Sequence, residues 1–168
     1  MARDNSIDAG AITTRLRTLS DEMPLTVLVV DDDELERALI SDRLEYRGFQ
    51  VAQAGNGSEA LDLLDARTIQ VLIVDWMMPA MDGIELTERL RARGMSDLYV
   101  IMLTSKDGDV DYERGYQAGV DDYLSKKIRD PELLARVHTA VTTWSLRREL
   151  RETRAALATA TGGKSPQA

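Results

Sequence analysis

The sequence contains no cysteine, a single histidine and no apolar run long enough to cross a membrane. Without cysteine the chain forms neither a disulfide framework nor a thiolate metal site, and it suits a reducing compartment. A membrane-spanning helix needs about 18 or more consecutive apolar residues. Residues 1–24 also lack the apolar centre of a secretory signal peptide. We therefore expect a soluble protein of the cytoplasm with no membrane partner.

The charge balance is acidic, with 29 Asp and Glu residues against 21 Lys and Arg residues and a net charge of −8. Such a surface repels nucleic-acid phosphates, so we expect protein or small-ion partners and no nucleic-acid partner. The 168 residues, of which 43% are apolar, predict one domain with appendages.

Short apolar segments alternate with segments of helical period. Runs of four or five apolar residues without polar alternation are typical of strands buried on both faces, as in a parallel sheet covered by helices. Five β/α units in series therefore predict an open α/β fold. The predicted strands are 27–30, 50–54, 71–74, 99–103 and 121–125. The predicted helices are 34–46, 58–67, 83–93, 108–118 and 131–157.

The two ends of the chain differ from this repeating middle. Residues 1–24 fit either a short amphipathic helix or a disordered leader. The predicted last helix would be about 40 Å long, which exceeds what is needed to cover a five-stranded sheet. One of its apolar stripes, Leu134, Val137, Val141 and Trp144, reads as core. A displaced second stripe, Leu146, Leu150 and Leu157, needs another partner, for which a second copy is one candidate.

Polar side chains follow four of the predicted strands. Asp31 and Asp32 follow the first, Asp75 the third, Thr104 the fourth and Lys126 the fifth. Because ligands of open parallel sheets bind beyond the carboxyl ends of the strands, these groups predict one shared site.

Three carboxylates in one cleft repel one another unless a hard cation lies among them. Mg²⁺ accepts carboxylate and phosphate oxygens and keeps several waters. A lone carboxylate can act as a nucleophile toward phosphorus, while an ammonium and a hydroxyl stabilise the transferred group. The pattern therefore predicts phosphoryl transfer to Asp75, with Lys126 and Thr104 assisting. Asp32 is predicted to hold the metal, and Asp31 to help through water.

The order VVDD, DWMMPAMDG, MLTS and DDYLSKK resembles the receiver domain of two-component response regulators, including the chemotaxis response regulator. The resemblance covers about residues 25–145. It implies a flavodoxin-like doubly wound sheet of order 2-1-3-4-5. Beyond the resemblance, the residues themselves predict an extension of the last helix at 146–158 and a flexible tail at 159–168. It also implies a cytoplasmic, non-enzymatic signalling module that accepts phosphate on Asp75 from a sensor histidine kinase or phosphotransfer protein and acts on a downstream protein.

The same resemblance implies further residue roles. Asp31, Asp32, Asp75 and the backbone carbonyl of Met77 become Mg²⁺ positions, and Thr104 and Tyr123 become a switch pair. Tyr123 is equally compatible with a plain core aromatic. In one departure from the family pattern, Lys127 occupies the position after the lysine, where the family usually has a proline in a cis peptide bond.

Other functions stay open at this point. A phosphatase of the haloacid dehalogenase type would also use an aspartyl phosphate, but it would carry a second Asp where this chain has Met77. The long last helix also resembles the stalks that join receivers to diguanylate cyclase or phosphatase domains, so the chain could be a fragment of a longer regulator. A homodimer through this helix is a further hypothesis.

Overall fold

Residues 25–104 and 112–161 are described by a computed structural model. The predicted leader at 1–24, the start of the predicted fourth helix at 108–111 and the end of the predicted tail at 162–168 lie outside these ranges. Within them, five parallel strands form one sheet of order β2-β1-β3-β4-β5. This is the predicted flavodoxin-like order.

The sequence patterns predicted each strand and helix closely. The strands are β1 (Thr26–Val30), β2 (Gln50–Ala54), β3 (Val71–Asp75), β4 (Tyr99–Thr104) and β5 (Asp122–Ser125). The helices are α1 (Glu34–Glu45), α2 (Gly57–Ala66), α3 (Gly83–Ala92), α4 (Tyr112–Ala118) and α5 (Asp130–Thr161).

Helix starts are fixed by side chains that accept hydrogen bonds from the first free amides. Asp33 accepts from the amides of Leu35 and Glu36 at α1. Asp82 accepts from the amide of Glu85 at α3. The Asp33 cap lies three residues after the end of β1, whereas seven residues separate the end of β3 from the start of α3.

The sheet is buried on both faces because successive side chains of each strand point to opposite sides. Leu28 and Val30 enter a core with α2, α3 and α4, whereas Val27 and Val29 enter a second core with α1 and α5. All four side chains are fully buried. No helix in the described ranges has both the length and the apolar character needed to span a bilayer.

Helix α5 runs to Thr161, so the predicted start of the flexible tail at residue 159 is wrong. Residues 155–161 are mostly alanine, the strongest helix former, and they continue the helix up to the Gly162–Gly163 pair. In the first half of α5, Val137 and Val141 are buried as predicted, whereas the apolar stripe is completed by Leu133 and Ala140.

Asp121 joins three elements at the amino-terminal edge of the sheet, opposite the predicted site. Its carboxylate accepts from the Val100 amide at 2.8 Å, from Arg91 of α3 at 2.9 Å and from Arg147 of α5 at 2.5 Å. Arg151, one turn farther along α5, pairs with Asp97. These ion pairs hold the second half of α5 against the body of the domain.

Asp121→Asn should lower the free energy of unfolding by about 2 to 3 kcal/mol, because two partly buried guanidinium groups lose their counter-charge. The asparagine still offers an acceptor to the Val100 amide. The matched control is Asp65→Asn, which removes an exposed partner of Arg93 and should change stability by less than about 1 kcal/mol. Urea denaturation measures both. Equal effects of the two variants would contradict the role of Asp121.

Candidate functional site

The predicted acidic residues come together at the carboxyl edge of the sheet. Asp75 ends the central strand β3, and Asp31 and Asp32 directly follow the adjacent strand β1. One carboxylate oxygen from each of the three lies within 4.8 Å of the others. Asp31 and Asp75 are buried, while Asp32 is exposed.

Lys126 links the two buried acids. It follows β5, and its Nζ lies 2.7 Å from Asp31 Oδ2 and 3.0 Å from Asp75 Oδ2. The Lys126 amide donates to the Thr104 carbonyl at 2.9 Å, which fixes the loop beside the end of β4. The Lys126 side chain therefore reaches from the edge strand β5 to the central strand β3.

The remaining hydrogen bonds of Asp31 hold its carboxylate in place. Its Oδ1 accepts from the Asp33 amide at 2.9 Å, and its carbonyl accepts from Arg37 Nη1 at 2.6 Å. The Asp32 carboxylate has no such partner among the residues that the structure describes. Asp31 is thus positioned by the protein, whereas Asp32 keeps its oxygens for solvent or a cation.

The electrostatics of the site favour a further positive charge. Burial raises the pKa of Asp75, although the hydrogen bond and charge of Lys126 act in the opposite direction. Burial by itself lowers the pKa of Lys126, but its hydrogen bonds to Asp31 and Asp75 outweigh this and the pKa is raised. Lys126 is therefore the charged partner. Three carboxylates facing one ammonium leave two negative charges unbalanced when all are ionised.

This arrangement fits a hard divalent cation. Carboxylate oxygens are ligands that Mg²⁺ accepts in proteins, and one exposed donor beside two buried ones leaves room for water. Met77, the fourth predicted position, is 72% exposed. Its backbone amide acts to lower the pKa of Asp75, against the larger effect of burial.

Gly83, which the sequence patterns did not single out, sets the distance between α3 and the acid. A Cβ at this position would lie 2.4 Å from the Asp75 carbonyl oxygen and 2.7 Å from Met102 Sδ. The Gly83 amide donates to the Trp76 carbonyl at 3.0 Å. Only glycine lets α3 begin this close to the end of β3. The sequence signal that could have identified Gly83 was the Asp82–Gly83 pair after the turn.

Tyr123 of β5 packs between aromatic rings near the site. Its ring is 6.0 Å from that of Trp76 and makes edge contacts with Tyr112 at 4.8 Å and Tyr116 at 5.2 Å. A Cβ on Gly115 would lie 1.7 Å from the Tyr123 hydroxyl oxygen, so α4 leaves space for this ring only because residue 115 is glycine.

The loop after Lys126 takes a trans path. The described residues contain no cis peptide bond, so Lys127 follows Lys126 without the cis bond that a proline would favour. The Lys127 amide donates to Ser125 Oγ at 3.2 Å, and the Ile128 amide donates to the Ser125 carbonyl at 2.9 Å. A tight turn thus keeps Lys126 directed at the acids.

A family model for the response regulator receiver domain matches residues 27–138. This match covers well over half of the chain. The sheet of this chain also has the strand order that the resemblance implied. The chain belongs to the response regulator receiver family of two-component systems. Receiver domains of response regulators are generally non-enzymatic signalling domains.

The curated relatives are longer than this chain. Response regulator MprA of Mycolicibacterium vanbaalenii is 41% identical over 115 residues, which cover 68% of this chain and 49% of that protein. Response regulator MprA of Mycobacterium tuberculosis is 40% identical over 115 residues, covering 68% and 50%. The chain therefore spans about half the length of the curated relatives it matches.

Solved structures show the same domain alone and within longer proteins. The chemotaxis protein CheY4 of Vibrio cholerae superimposes with a TM-score of 0.67 at 28% identity, covering 70% of this chain and 99% of that one. A two-component response regulator with a GGDEF domain gives a TM-score of 0.72 at 29% identity, covering 82% and 56%.

Asp75→Asn should stabilise the domain at neutral pH when no Mg²⁺ is present. The pKa of Asp75 is raised by burial above its ordinary value of 3.8, so the folded state loses stability as pH rises from that value through the raised pKa. Asparagine avoids this loss. The gain over wild type should shrink toward zero as the pH falls below 3.8.

Thermal unfolding in EDTA across this pH range measures the difference between the two proteins. Asp62→Asn, which removes an exposed carboxylate from α2, is the control and should show little gain. An Asp75→Asn protein less stable than wild type at neutral pH would mean that the ion pair with Lys126 outweighs burial.

Proposed function

We propose that this receiver domain accepts a phosphoryl group on Asp75 and signals through contacts with other proteins. The observation that carries the proposal is the position of Lys126 Nζ, within 3.0 Å of carboxylate oxygens of both Asp75 and Asp31. A buried acid at the end of the central strand, held beside a fixed ammonium, is suited to bind a group with several negative oxygens.

The donor in this proposal is the phosphohistidine of a sensor histidine kinase or a phosphotransfer protein. The nitrogen–phosphorus bond of the donor breaks and its electron pair stays on the imidazole. An Asp75 carboxylate oxygen forms the new bond to phosphorus. The ammonium of Lys126 and the hydroxyl of Thr104, the buried last residue of β4, stabilise the oxygens of the transferred group.

The proposed cofactor is Mg²⁺, held by Asp31, Asp32, Asp75 and the backbone carbonyl of Met77. The proximity of the three carboxylates and their excess of negative charge support this assignment. When bound, Mg²⁺ supplies positive charge to the phosphoryl oxygens. In this assignment the exposed Asp32 would be the direct ligand, and Asp31, which is already held by Lys126 and the Asp33 amide, would help through a bound water.

The proposed switch is the pair of Thr104 and Tyr123. Phosphorylation draws the Thr104 hydroxyl toward the phosphoryl group and lets the Tyr123 ring turn inward, which changes the face formed by α4, β5 and α5. The space that Gly115 leaves for the Tyr123 ring supports this role. The changed face is where a downstream protein binds. We place this signalling in the cytoplasm.

Incubation with acetyl phosphate and Mg²⁺ should add one phosphoryl group to the wild-type chain and none to Asp75→Asn. Intact-mass spectrometry at neutral pH measures the addition. Asp62→Asn controls for the loss of one carboxylate and should label normally. Full labelling of Asp75→Asn would overturn the assignment of the acceptor.

Asp32→Asn should weaken Mg²⁺ binding by at least about tenfold, because it removes a charged oxygen donor. Isothermal titration calorimetry measures the affinity without any phosphodonor. Asp33→Asn is a matched control: it removes the same charge one residue away, and asparagine is an equally good helix cap. If both variants bind Mg²⁺ like wild type, Asp32 is not a ligand.

A further inference from the structure

We propose that the second half of α5 pairs with the same segment of a second copy, as a parallel two-stranded coiled coil. The surface concerned, called the stalk stripe below, consists of Leu146, Leu150, Thr153 and Leu157. Its three leucines are 59%, 51% and 60% exposed. Each keeps more than half of its surface in water, on a part of α5 whose side chains are exposed from residue 149 to residue 159.

The spacing of the stalk stripe is that of a heptad repeat. Leu150 and Leu157 are seven residues apart, as are Leu146 and Thr153, and the two sets alternate by four and three residues. They therefore fill successive d, a, d and a positions, which meet a partner helix along one seam. A stripe at this spacing fits another helix better than it fits a flat surface.

In the described part of the chain, the body of the domain lies on a different side of α5 from the stalk stripe. At 3.6 residues per turn the stalk stripe lies about 150° around α5 from the buried residues Leu133, Val137, Ala140 and Val141. The body also holds this helix from a different side, through the pairs Arg147–Asp121 and Arg151–Asp97. Two domains joined along their stalk stripes therefore lie on the outside of the helix pair.

The charges beside the stalk stripe select the second copy and its direction. Glu149 occupies a g position and Arg154 the following e position. Both side chains are exposed, and neither has an ion-pair partner in the described part of the chain. In a parallel pair each Glu149 meets the Arg154 of the other copy. An antiparallel pair would instead bring Glu149 near Glu149 and Arg154 near Arg154, which repel.

The ion pairs at the base of α5 make this pairing easier. Asp121 fixes Arg147 at 2.5 Å, and Arg147 also lies 5.5 Å from the centre of the Tyr99 ring. The helix thus leaves the domain in a set direction before any partner binds, which lowers the entropy lost on association. Because each chain contributes only three leucines, we expect a reversible, concentration-dependent dimer.

Charge reversal tests the pairing in the full chain. Glu149→Arg and Arg154→Glu should each raise the dimer dissociation constant about tenfold, because two attractive pairs become repulsive. The double variant should return to the wild-type value, and a mixture of the two single variants should form the mixed dimer. Sedimentation equilibrium measures the constants. Glu152→Arg, with the same charge change on the far side of the helix, should leave the constant unchanged.

Single cysteines test the direction, since the chain has none of its own. In a parallel pair, Leu146→Cys and Thr153→Cys should both form a disulfide between copies on mild oxidation, whereas an antiparallel pair can bring only one of them together. Ala155→Cys, on the far side, should not cross-link. A chain that stays monomeric at every concentration, or cross-linking equal at all three positions, would overturn the proposal.

Discussion

The Lys126 ammonium between two buried carboxylates is the interaction on which the site depends. Asp31 and Asp75 lie on adjacent strands and would repel each other in a dry environment. The single ammonium of Lys126 contacts both, at 2.7 and 3.0 Å. Removing the Lys126 ammonium would leave both buried carboxylates without a counter-charge, which is costly. Asp31 and Asp75 are therefore held together by one ammonium, and when all three carboxylates of the site are ionised the remaining negative charge favours a further cation.

The backbone around the acids is shaped to bring them close. Strands β1 and β3 are neighbours, so Asp31 and Asp75 end side by side. Gly83 lets α3 begin within van der Waals distance of the Asp75 carbonyl. The turn after β5 brings Lys126 back across the end of β4 through its amide bond to Thr104. Each contact joins a different pair of elements, so the site forms only when β1, β3, β4, the loop after β5 and the start of α3 have come together.

The carboxyl and amino edges of the sheet carry different groups of charged residues. The carboxyl edge carries the acids, while the amino edge carries the ion pairs of Asp97 and Asp121 with α5. Helix α5 begins near the first edge and passes the second. Arg147 of α5 is anchored to Asp121, the residue just before β5. A change in the packing of α4, β5 and α5 therefore changes the direction in which the second half of α5 leaves the domain.

Much of the fold could be read from local patterns. Uninterrupted apolar runs such as VLVV and VLIV predicted the buried strands, and the end of each run located the polar groups, because parallel strands end at one edge. The helix boundaries were less secure. The tail was predicted to begin at Thr159, but alanine-rich sequence carries the helix to Thr161. The leucine stripe beyond Trp144 was visible as a pattern, without any indication of which side of the helix the domain occupies.

By itself the sequence determined which groups meet: two acids after one strand, one after another, a threonine and a lysine at further strand ends. These follow from the side-chain period and from the position of each strand end, which are local properties of the chain. Only the tertiary structure decided which acids are buried, that Lys126 bridges Asp31 and Asp75, and that Asp121 anchors Arg91 and Arg147. Those facts depend on side-chain distances between elements far apart in the chain, and such distances are set by packing rather than by local pattern.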